Sequence, residues 1–244
     1  MISRTAIRAA TLGFAAASCA LVAAAPAGSG TARPIAPFVY APKGPASFFV
    51  TSRGLNGGDL GGLAGADAHC AKLAREAGLT ATGWRAYLST QAAPGVRAVN
   101  ARDRIGRGPW FNVQRVRIAE NLAHLHGDTL AYARAGNLVS QADALTERGE
   151  RIAGEHEPDM RHDILTGATP DGRAFRDRYD RTCRNWTYAG TEGSAQIGHS
   201  DRDTRGVSIS WNSAHHTAGC SREKLAVTGS AGLFYCFATN LPRS

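Results

Sequence analysis

Residues 232–238 read Gly-Leu-Phe-Tyr-Cys-Phe-Ala and predict a strand close to the C-terminal end of the chain. Successive side chains of a strand point to opposite faces, and in this stretch both faces are apolar. The strand should therefore be buried on both sides rather than lie at the edge of a sheet. Such a strand needs partners from distant parts of the chain. Cys236 offers one, because a disulfide can tie this end to a much earlier segment.

Residues 1–27 predict an export signal. Arg4 and Arg8 give a positive start, residues 9–25 are almost all small and apolar, and Ala-x-Ala cleavage patterns follow. Two alternatives stay open. One is a retained membrane anchor, for which the apolar run is at the short end of the spanning range. The other is lipidation at Cys19, which would make an outer-membrane lipoprotein.

The signal is followed by a proline-rich segment. Residues 28–47 have no apolar periodicity and predict an extended linker. We expect one domain over residues 48–240 and a short tail over residues 241–244. No transmembrane segment is expected once the signal has been removed.

Three elements of regular structure are clear inside this domain. Residues 64–77 carry apolar side chains at helical spacing, which places Cys70 on the inward face, and Gly78 ends the helix. Residues 84–89 predict a strand with one face more polar than the other. Asn100 has the position of a helix N-cap and predicts a second, short helix.

The cysteines predict disulfides. Cys19 lies in the export signal, and an even number remains: Cys70, Cys183, Cys220 and Cys236. Disulfides persist in exported proteins, so two structural bridges are expected, although the sequence leaves every pairing open. No pair has the spacing of a redox motif or a zinc finger.

The chain is basic, with a formal net charge of +8. A basic exported protein is suited to anionic partners such as acidic polysaccharide, lipopolysaccharide or the phospholipid headgroups of the envelope, although net charge also serves ordinary solubility. Guanidinium groups bind sulfate, phosphate and carboxylate, and we expect a polyanion site among two arginine clusters. Export, and the lack of interleaved aromatic residues, exclude nucleic acid. The cluster residues are Arg102, Arg104, Arg107, Arg115 and Arg117, and then Arg173, Arg176, Arg178, Arg181 and Arg184.

Several short stretches resemble the endostatin domain of certain collagens, in the same order along the chain. The chain also resembles exported bacterial proteins of an endostatin-like or lectin-like type. The resemblance covers about residues 48–240. The stretches are Ala66-Asp67-x-x-Cys70, Trp84-Arg85-Ala86-Tyr87-Leu88-Ser89, Val99-Asn100-x-x-Asp103, Thr182-Cys183-x-x-Trp186, and Gly219-Cys220 followed by Leu233-Phe234-Tyr235-Cys236.

This resemblance implies an α+β architecture of the C-type-lectin-like fold. Two main helices would pack on a twisted antiparallel sheet with long irregular loops, and the first and last strands would lie side by side. Residues 48–52 would then be the neighbour of residues 232–238. The family pairs the first cysteine with the last and the second with the third, which implies the disulfides Cys70–Cys236 and Cys183–Cys220.

The resemblance also raises the question of a metal. Calcium-dependent lectins use a Glu-Pro-Asn-like and a Trp-Asn-Asp tripeptide, and residues 157–159 (Glu-Pro-Asp) and 211–213 (Trp-Asn-Ser) are partial matches. Some endostatins bind zinc, but through ligands near the start of the domain that this chain lacks. Late in the chain, histidines and carboxylates could bind zinc or could only fix loops by hydrogen bonds. The candidate ligands are His162, Asp163, His199, Asp201, Asn212 and His215, and Asp203 lies beside them.

We therefore expect a secreted or periplasmic, non-catalytic binding module for an anionic or glycan ligand. No catalytic residues are assigned, because the chain has no Gly-x-Ser-x-Gly motif and no free cysteine is expected. A cofactor is not required, with calcium or zinc as alternatives. The two alternative functions are a metal-dependent sugar-binding lectin and an unrecognised hydrolase.

Overall fold

Three small antiparallel sheets and five helices make up the part of the chain that the computed structural model describes, residues 44–202 and 210–241. These residues all belong to the unit Tyr40–Ser244. The architecture is mixed α and β, as the sequence predicts. The export signal with Cys19, most of the linker, Asp203 and residues 242–244 lie outside the described residues.

The C-terminal strand is the central strand of the first sheet. β1 (Phe48–Val50) and β2 (Thr82–Ala86) flank β8 (Tyr235–Asn240), and both pair with it in the antiparallel sense. Phe48 lies opposite Phe237, so the predicted pairing of the first and last strands is confirmed. Ser47, placed in the linker by the sequence, is also buried and accepts a hydrogen bond from the Ala238 amide.

The two apolar faces of β8 contact two different hydrophobic clusters. Cys236 and Ala238 pack on the side of the long helix, together with Phe49 and Trp84. The other face of β8 carries Tyr235 and Phe237. These side chains pack with Phe48, Tyr87 and Trp110. The strand is buried on both sides because each face covers its own half of the core.

The long helix α1 (Gly62–Glu76) packs on this sheet. Ala66, Cys70 and Leu73 are fully buried, as the helical spacing predicts. Cys70 forms a disulfide with Cys236, which joins the helix to the closing strand. A second disulfide joins Cys183 and Cys220. Both implied pairings are confirmed.

The remaining helices are short, which corrects the expectation of two main helices. They are α2 (Leu122–His126), α3 (Leu130–Ala135), α4 (Cys183–Trp186) and α5 (Arg222–Ala226). The helix predicted at Asn100 is a single 3₁₀ turn, Ala101–Asp103. Asn100 does not cap it, because its side chain bonds the Ala174 amide and Asp103 instead.

Two further sheets complete the described fold. β3 (Trp110–Phe111) pairs with β4 (Arg117–Ala119). β6 (Gln196–His199) is the central strand of the third sheet, between β5 (Asp163–Leu165) and β7 (His215–His216).

Two disulfides are typical of a protein in an oxidising compartment, and they fit the expected secreted or periplasmic location. Among the described residues, none of the helices has the length and apolar character needed to cross a membrane.

Candidate metal centre

The register of the third sheet places three candidate ligands on one face. Asp163 lies directly opposite His199 across β5 and β6. His215 lies opposite Ile197, two residues before His199 on the same strand. Because side chains alternate along a strand, residues 197 and 199 share a face, and so do their cross-strand partners. Asp163, His199 and His215 therefore converge.

The ligand atoms of these residues lie at short distances from one another. The Nε2 atom of His199 is 3.2 Å from Asp163 Oδ1 and 3.1 Å from His215 Nε2. His215 Nε2 is 3.7 Å from Asp163 Oδ2. Two ligands of a tetrahedral zinc ion, each bound at about 2.0–2.2 Å, are separated by about 3.3–3.5 Å. The observed separations are close to the edges of such a tetrahedron.

The Asp163 carboxylate is buried without a hydrogen-bond donor. It is fully inaccessible to solvent, and neither of its oxygens has a hydrogen-bond partner among the described residues. The Nδ1 atom of His199 is also buried and has no hydrogen-bond partner in the described part of the chain. The nearby imidazole nitrogens are at contact distance from the carboxylate but lack hydrogen-bond geometry. An unpartnered buried carboxylate is costly, and a cation shared by the convergent atoms would remove that cost.

His162 and Asp201 lie behind this group. His162 Nδ1 donates a hydrogen bond to Asp201 Oδ1 at 2.7 Å, and Asp201 Oδ2 accepts another from the Glu155 amide. The other ring nitrogen of His162, Nε2, is 3.3 Å from Asp163 Oδ1, and its ring stacks on that of His199. A carboxylate that fixes the orientation of an imidazole is a common feature of the outer shell of metal sites.

The same contacts shift the pKa values of His162 and Asp201. Burial alone would lower the pKa of His162, but the hydrogen bond to Asp201 and the charge of Asp163 outweigh burial, so the pKa of His162 is raised. Burial alone would raise the pKa of Asp201, but the hydrogen bonds from His162 and from the Glu155 amide lower it. The pair is therefore favoured in its ionic form.

The group reaches solvent through His215. The side chain of His215 is 42% exposed, whereas the side chains of His199 and Asp163 are 5% and 0% exposed. An ion could enter from this side without opening the core. His162, His199 and Asp201 form a second, overlapping set of possible ligands.

The donor atoms favour zinc over calcium. Calcium takes oxygen ligands, whereas two imidazoles and one carboxylate form a set that suits zinc and other transition metals. The partial matches to the calcium tripeptides are bonded elsewhere. Glu157 binds Arg151 and the Gly154 amide, and its pKa is lowered mainly by the hydrogen bond from Arg151. The side-chain nitrogen of Asn212 donates to the Tyr87 hydroxyl and to the Pro170 carbonyl, so this candidate ligand takes part in a different network.

Several arginines of the predicted polyanion clusters are bound within the fold. Arg102 pairs with Asp128 at 2.6 Å, and Arg104 pairs with Asp67 at 2.8 Å and also donates to the Ala86 carbonyl. Arg117 and Arg173 also pair with neighbouring carboxylates. Among the described residues, the two clusters therefore do not form one surface of unpaired guanidinium groups. The members of the predicted set that are exposed and form no ion pair with another described residue are Arg107, Arg115, Arg176 and Arg178.

The convergence of Asp163, His199 and His215 was not predicted from the sequence. The dipeptides His162-Asp163 and His215-His216 marked these positions as candidates. The sequence carries no signal for the pairing of the short strands β5, β6 and β7. Without that pairing, the candidate residues could not be assigned to one site.

The chain matches none of the protein-family models with which it was compared, and no curated protein is significantly similar to it in sequence. Its function is therefore argued from the site itself.

Proposed function

We propose that the protein is an exported metal-binding protein in which Asp163, His199 and His215 bind a divalent transition metal. Zinc is the metal that this set of ligands favours most. The observation that carries this proposal is the buried Asp163 carboxylate, which has no hydrogen-bond donor among the described residues and faces imidazole nitrogens. His162 would act as a positioning residue, held by Asp201 against the carboxylate.

A centre of this kind has room for a further ligand. Zinc with three protein ligands keeps a coordination position for an oxygen from outside the protein. Metal-dependent binding of a hydroxyl or carboxylate oxygen is the activity that this arrangement supports best. The predicted lectin alternative thus gains support, with zinc in the place of calcium. A hydrolase would use the same position to activate water.

The domain around the centre is proposed to have the C-type-lectin-like fold. Three features support this assignment: the first and last strands are neighbours, Cys70 is joined to Cys236, and Cys183 is joined to Cys220. The shortness of every described helix after α1 is a departure from the expected pattern.

Metal analysis tests the proposal. The tag-free chain is equilibrated with zinc, dialysed, and measured by mass spectrometry of the metal, with copper, nickel, manganese and calcium in parallel. One zinc per chain is expected, and cobalt substitution should give the absorption bands of a four- or five-coordinate ion.

Two neighbouring histidines provide a matched pair of variants. His215→Ala removes a proposed ligand, and His216→Ala removes the next residue of the same exposed strand. The first variant should lose zinc and the second should retain it. No stoichiometric zinc in the wild-type chain, or equal loss in the two variants, would refute the centre.

Binding of an anionic polysaccharide is a second candidate function, favoured by the exposed guanidinium groups of Arg107 and Arg115, which form no ion pair with another described residue. The double variant Arg107→Ala with Arg115→Ala should elute from a heparin column at lower salt than the wild-type chain. The double variant Arg85→Ala with Arg151→Ala is the control, because it loses the same charge from arginines already paired with carboxylates. Equal shifts in the two variants would show only an effect of net charge.

A further inference from the structure

A second feature, away from the metal ligands, is an exposed tyrosine between two clefts. The Tyr179 side chain is 70% exposed. One cleft, of about 530 Å³, and another, of about 540 Å³, share Tyr179, Asp180 and Gly193 in their walls. We call these three residues the Tyr179 ridge. Each cleft has the volume of a small-molecule binding site, which is typically about 300–1,000 Å³.

The backbone next to the ridge is held in a rare conformation. All four residues of α4, Cys183–Trp186, have positive φ, with values of 47°, 53°, 57° and 68°, and none of them is glycine. Left-handed conformations of such residues cost on the order of 1–2 kcal/mol each. They persist only where the surroundings determine them, and they cluster at ligand sites.

Contacts with neighbouring residues hold α4 in this left-handed conformation. The disulfide to Cys220 holds its first residue, and the Trp186 indole donates to the Ser89 carbonyl at 2.8 Å. The Asn185 side chain accepts a hydrogen bond from the Gln91 amide and donates one to the Gln91 carbonyl.

The ridge itself is fixed by the same neighbours. The Gln91 side chain donates to the Tyr179 carbonyl at 2.9 Å. The Asp180 carboxylate accepts hydrogen bonds from the amides of Thr182 and Arg184. A surface so fixed loses little conformational entropy when a ligand binds.

The exposed groups that line the first cleft include the Tyr179 ring, the side chains of Asp177 and Arg178, and an ion pair between Arg184 and Glu192. Arg184 lies over the Tyr188 ring, 3.8 Å from its centroid, and its guanidinium is 3.3 Å from the Glu192 carboxylate. These two charged side chains are 59% and 76% exposed. Arg181 lies near the Tyr179 ring but is neutralised by Asp177.

We infer that the Tyr179 ridge binds a neutral oligosaccharide. An aromatic face packs against the apolar C–H face of a sugar ring. Vicinal hydroxyl groups both donate and accept hydrogen bonds, so they match a carboxylate beside a guanidinium, as in Glu192 and Arg184. A polyanion is disfavoured, because the arginines around the ridge are balanced by an equal number of carboxylates. The arginines are Arg178, Arg181 and Arg184, and the carboxylates are Asp177, Asp180 and Glu192.

The inference is independent of the metal centre. No ridge or cleft residue is a proposed ligand, although His216 of β7 lines the second cleft. Its neighbour His215 points to the opposite side of the strand, towards Asp163. Chelation of metal should therefore leave sugar binding unchanged.

An oligosaccharide array tests the ridge. The probes are neutral oligosaccharides of glucose, mannose, galactose and N-acetylglucosamine, with heparin and hyaluronan as acidic members, each with and without a chelator. The wild-type chain should retain neutral probes in both conditions. Retention of no neutral probe, or of acidic probes alone in a salt-sensitive manner, would overturn the inference.

Variants then locate the site by calorimetric titration with the best neutral probe. Tyr179→Ala and Glu192→Gln should each weaken binding at least tenfold without a change in melting temperature, since both side chains are exposed. Val227→Ala is the control, because Val227 is as exposed as Tyr179 but lies next to α5. Unchanged affinity in Tyr179→Ala would remove the ridge as the site.

Discussion

The sheet β1–β8–β2 and the sheet β5–β6–β7 have the same number of strands and the same antiparallel pairing, but they bury different chemistry. The central strand of the first places Tyr235, Cys236 and Phe237 in the core. The central strand of the second ends at His199, beside the buried Asp163. Apolar burial stabilises a fold by itself, whereas a buried charge stabilises it only with a partner. The first sheet buries apolar side chains, and the second buries a carboxylate that has no hydrogen-bond donor among the described residues.

The largest expected effect concerns the covalent link of the first sheet. Cys70–Cys236 closes a separation of 166 residues and Cys183–Cys220 one of 37. Chain-entropy arithmetic assigns about 5 and about 4 kcal/mol to these loops. Replacing both cysteines of the first bridge by alanine should therefore lower the free energy of unfolding more than the same change in the second, as measured by urea denaturation. The reverse order would contradict the role of β8 in closing the fold.

Packing in the first sheet should have nearly as large an effect. Phe237 is fully buried and contacts the rings of Phe48, Tyr87 and Trp110. Phe237→Ala should lower the free energy of unfolding by about 3–5 kcal/mol, because it leaves a cavity in one of the two clusters. Val227→Ala, at an exposed position, should change it by less than about 0.5 kcal/mol. A small effect at Phe237 would show that this face of β8 is not closely packed.

A third expectation concerns buried polar groups that do have partners. His126 Nδ1 donates to the Leu122 carbonyl, so Nε2 accepts from the Tyr87 hydroxyl, which in turn accepts from Asn212. Burial lowers the pKa of His126 from 6.5 to about 4. Because the folded pKa is below the ordinary value, the unfolded chain takes up the proton first as the pH falls.

The free energy of unfolding should therefore be highest above pH 6.5 and fall by about 3 kcal/mol on this account as the pH drops towards 4. Denaturation curves at pH 7.5 and 4.5 measure the change. His126→Gln, whose amide can both donate and accept, should show a smaller dependence. An identical dependence in wild type and variant would exclude His126 as its source.

Zinc should stabilise the whole fold and protect the second sheet most. At a free concentration 100 times the dissociation constant, a ligand of the folded state adds about 2.7 kcal/mol to the free energy of unfolding. Hydrogen exchange of the amides in β5, β6 and β7 should slow on zinc addition, while exchange in β1 and β8 follows only the global stability. No protection at all, or protection of β5, β6 and β7 that is smaller than that of β1 and β8, would place the ion elsewhere.

The smallest effect is expected in the metal-free chain. Asp163→Asn removes a buried charge that has no hydrogen-bond donor among the described residues, so the variant without metal should be more stable than the wild type by about 1 kcal/mol. The same variant should lose its stabilisation by zinc. Destabilisation of the metal-free variant would mean that the carboxylate already has a partner in the fold.

Local sequence patterns were sufficient to predict much of the scaffold. The alternation in residues 232–238 predicted a doubly buried strand, and the spacing around Cys70 predicted the inward face of α1. Both signals are periodic, and the period of side chains along a strand or helix is independent of the rest of the chain. The disulfide pairing needed the family resemblance, since spacing alone left it open.

The candidate site depended on information that is not local. His162, Asp163, His199 and His215 could be named as possible ligands because imidazole and carboxylate are metal-binding groups. Their convergence follows from strand register, and a shift of one residue would send a side chain to the opposite face. The partial matches to calcium tripeptides did not lead to this group of residues, because Glu157 and Asn212 form hydrogen bonds elsewhere in the fold.

By itself, the sequence determined the closing strand, the long helix, the set of cysteines and the pool of candidate ligands. Only the tertiary structure decided that Arg102 and Arg104 form ion pairs inside the fold, and that Asp163 has no hydrogen-bond donor among the described residues. It also placed the Tyr179 ridge between two clefts. The physical reason is that burial and charge pairing depend on neighbours distant in sequence, whereas periodicity depends only on the local chain.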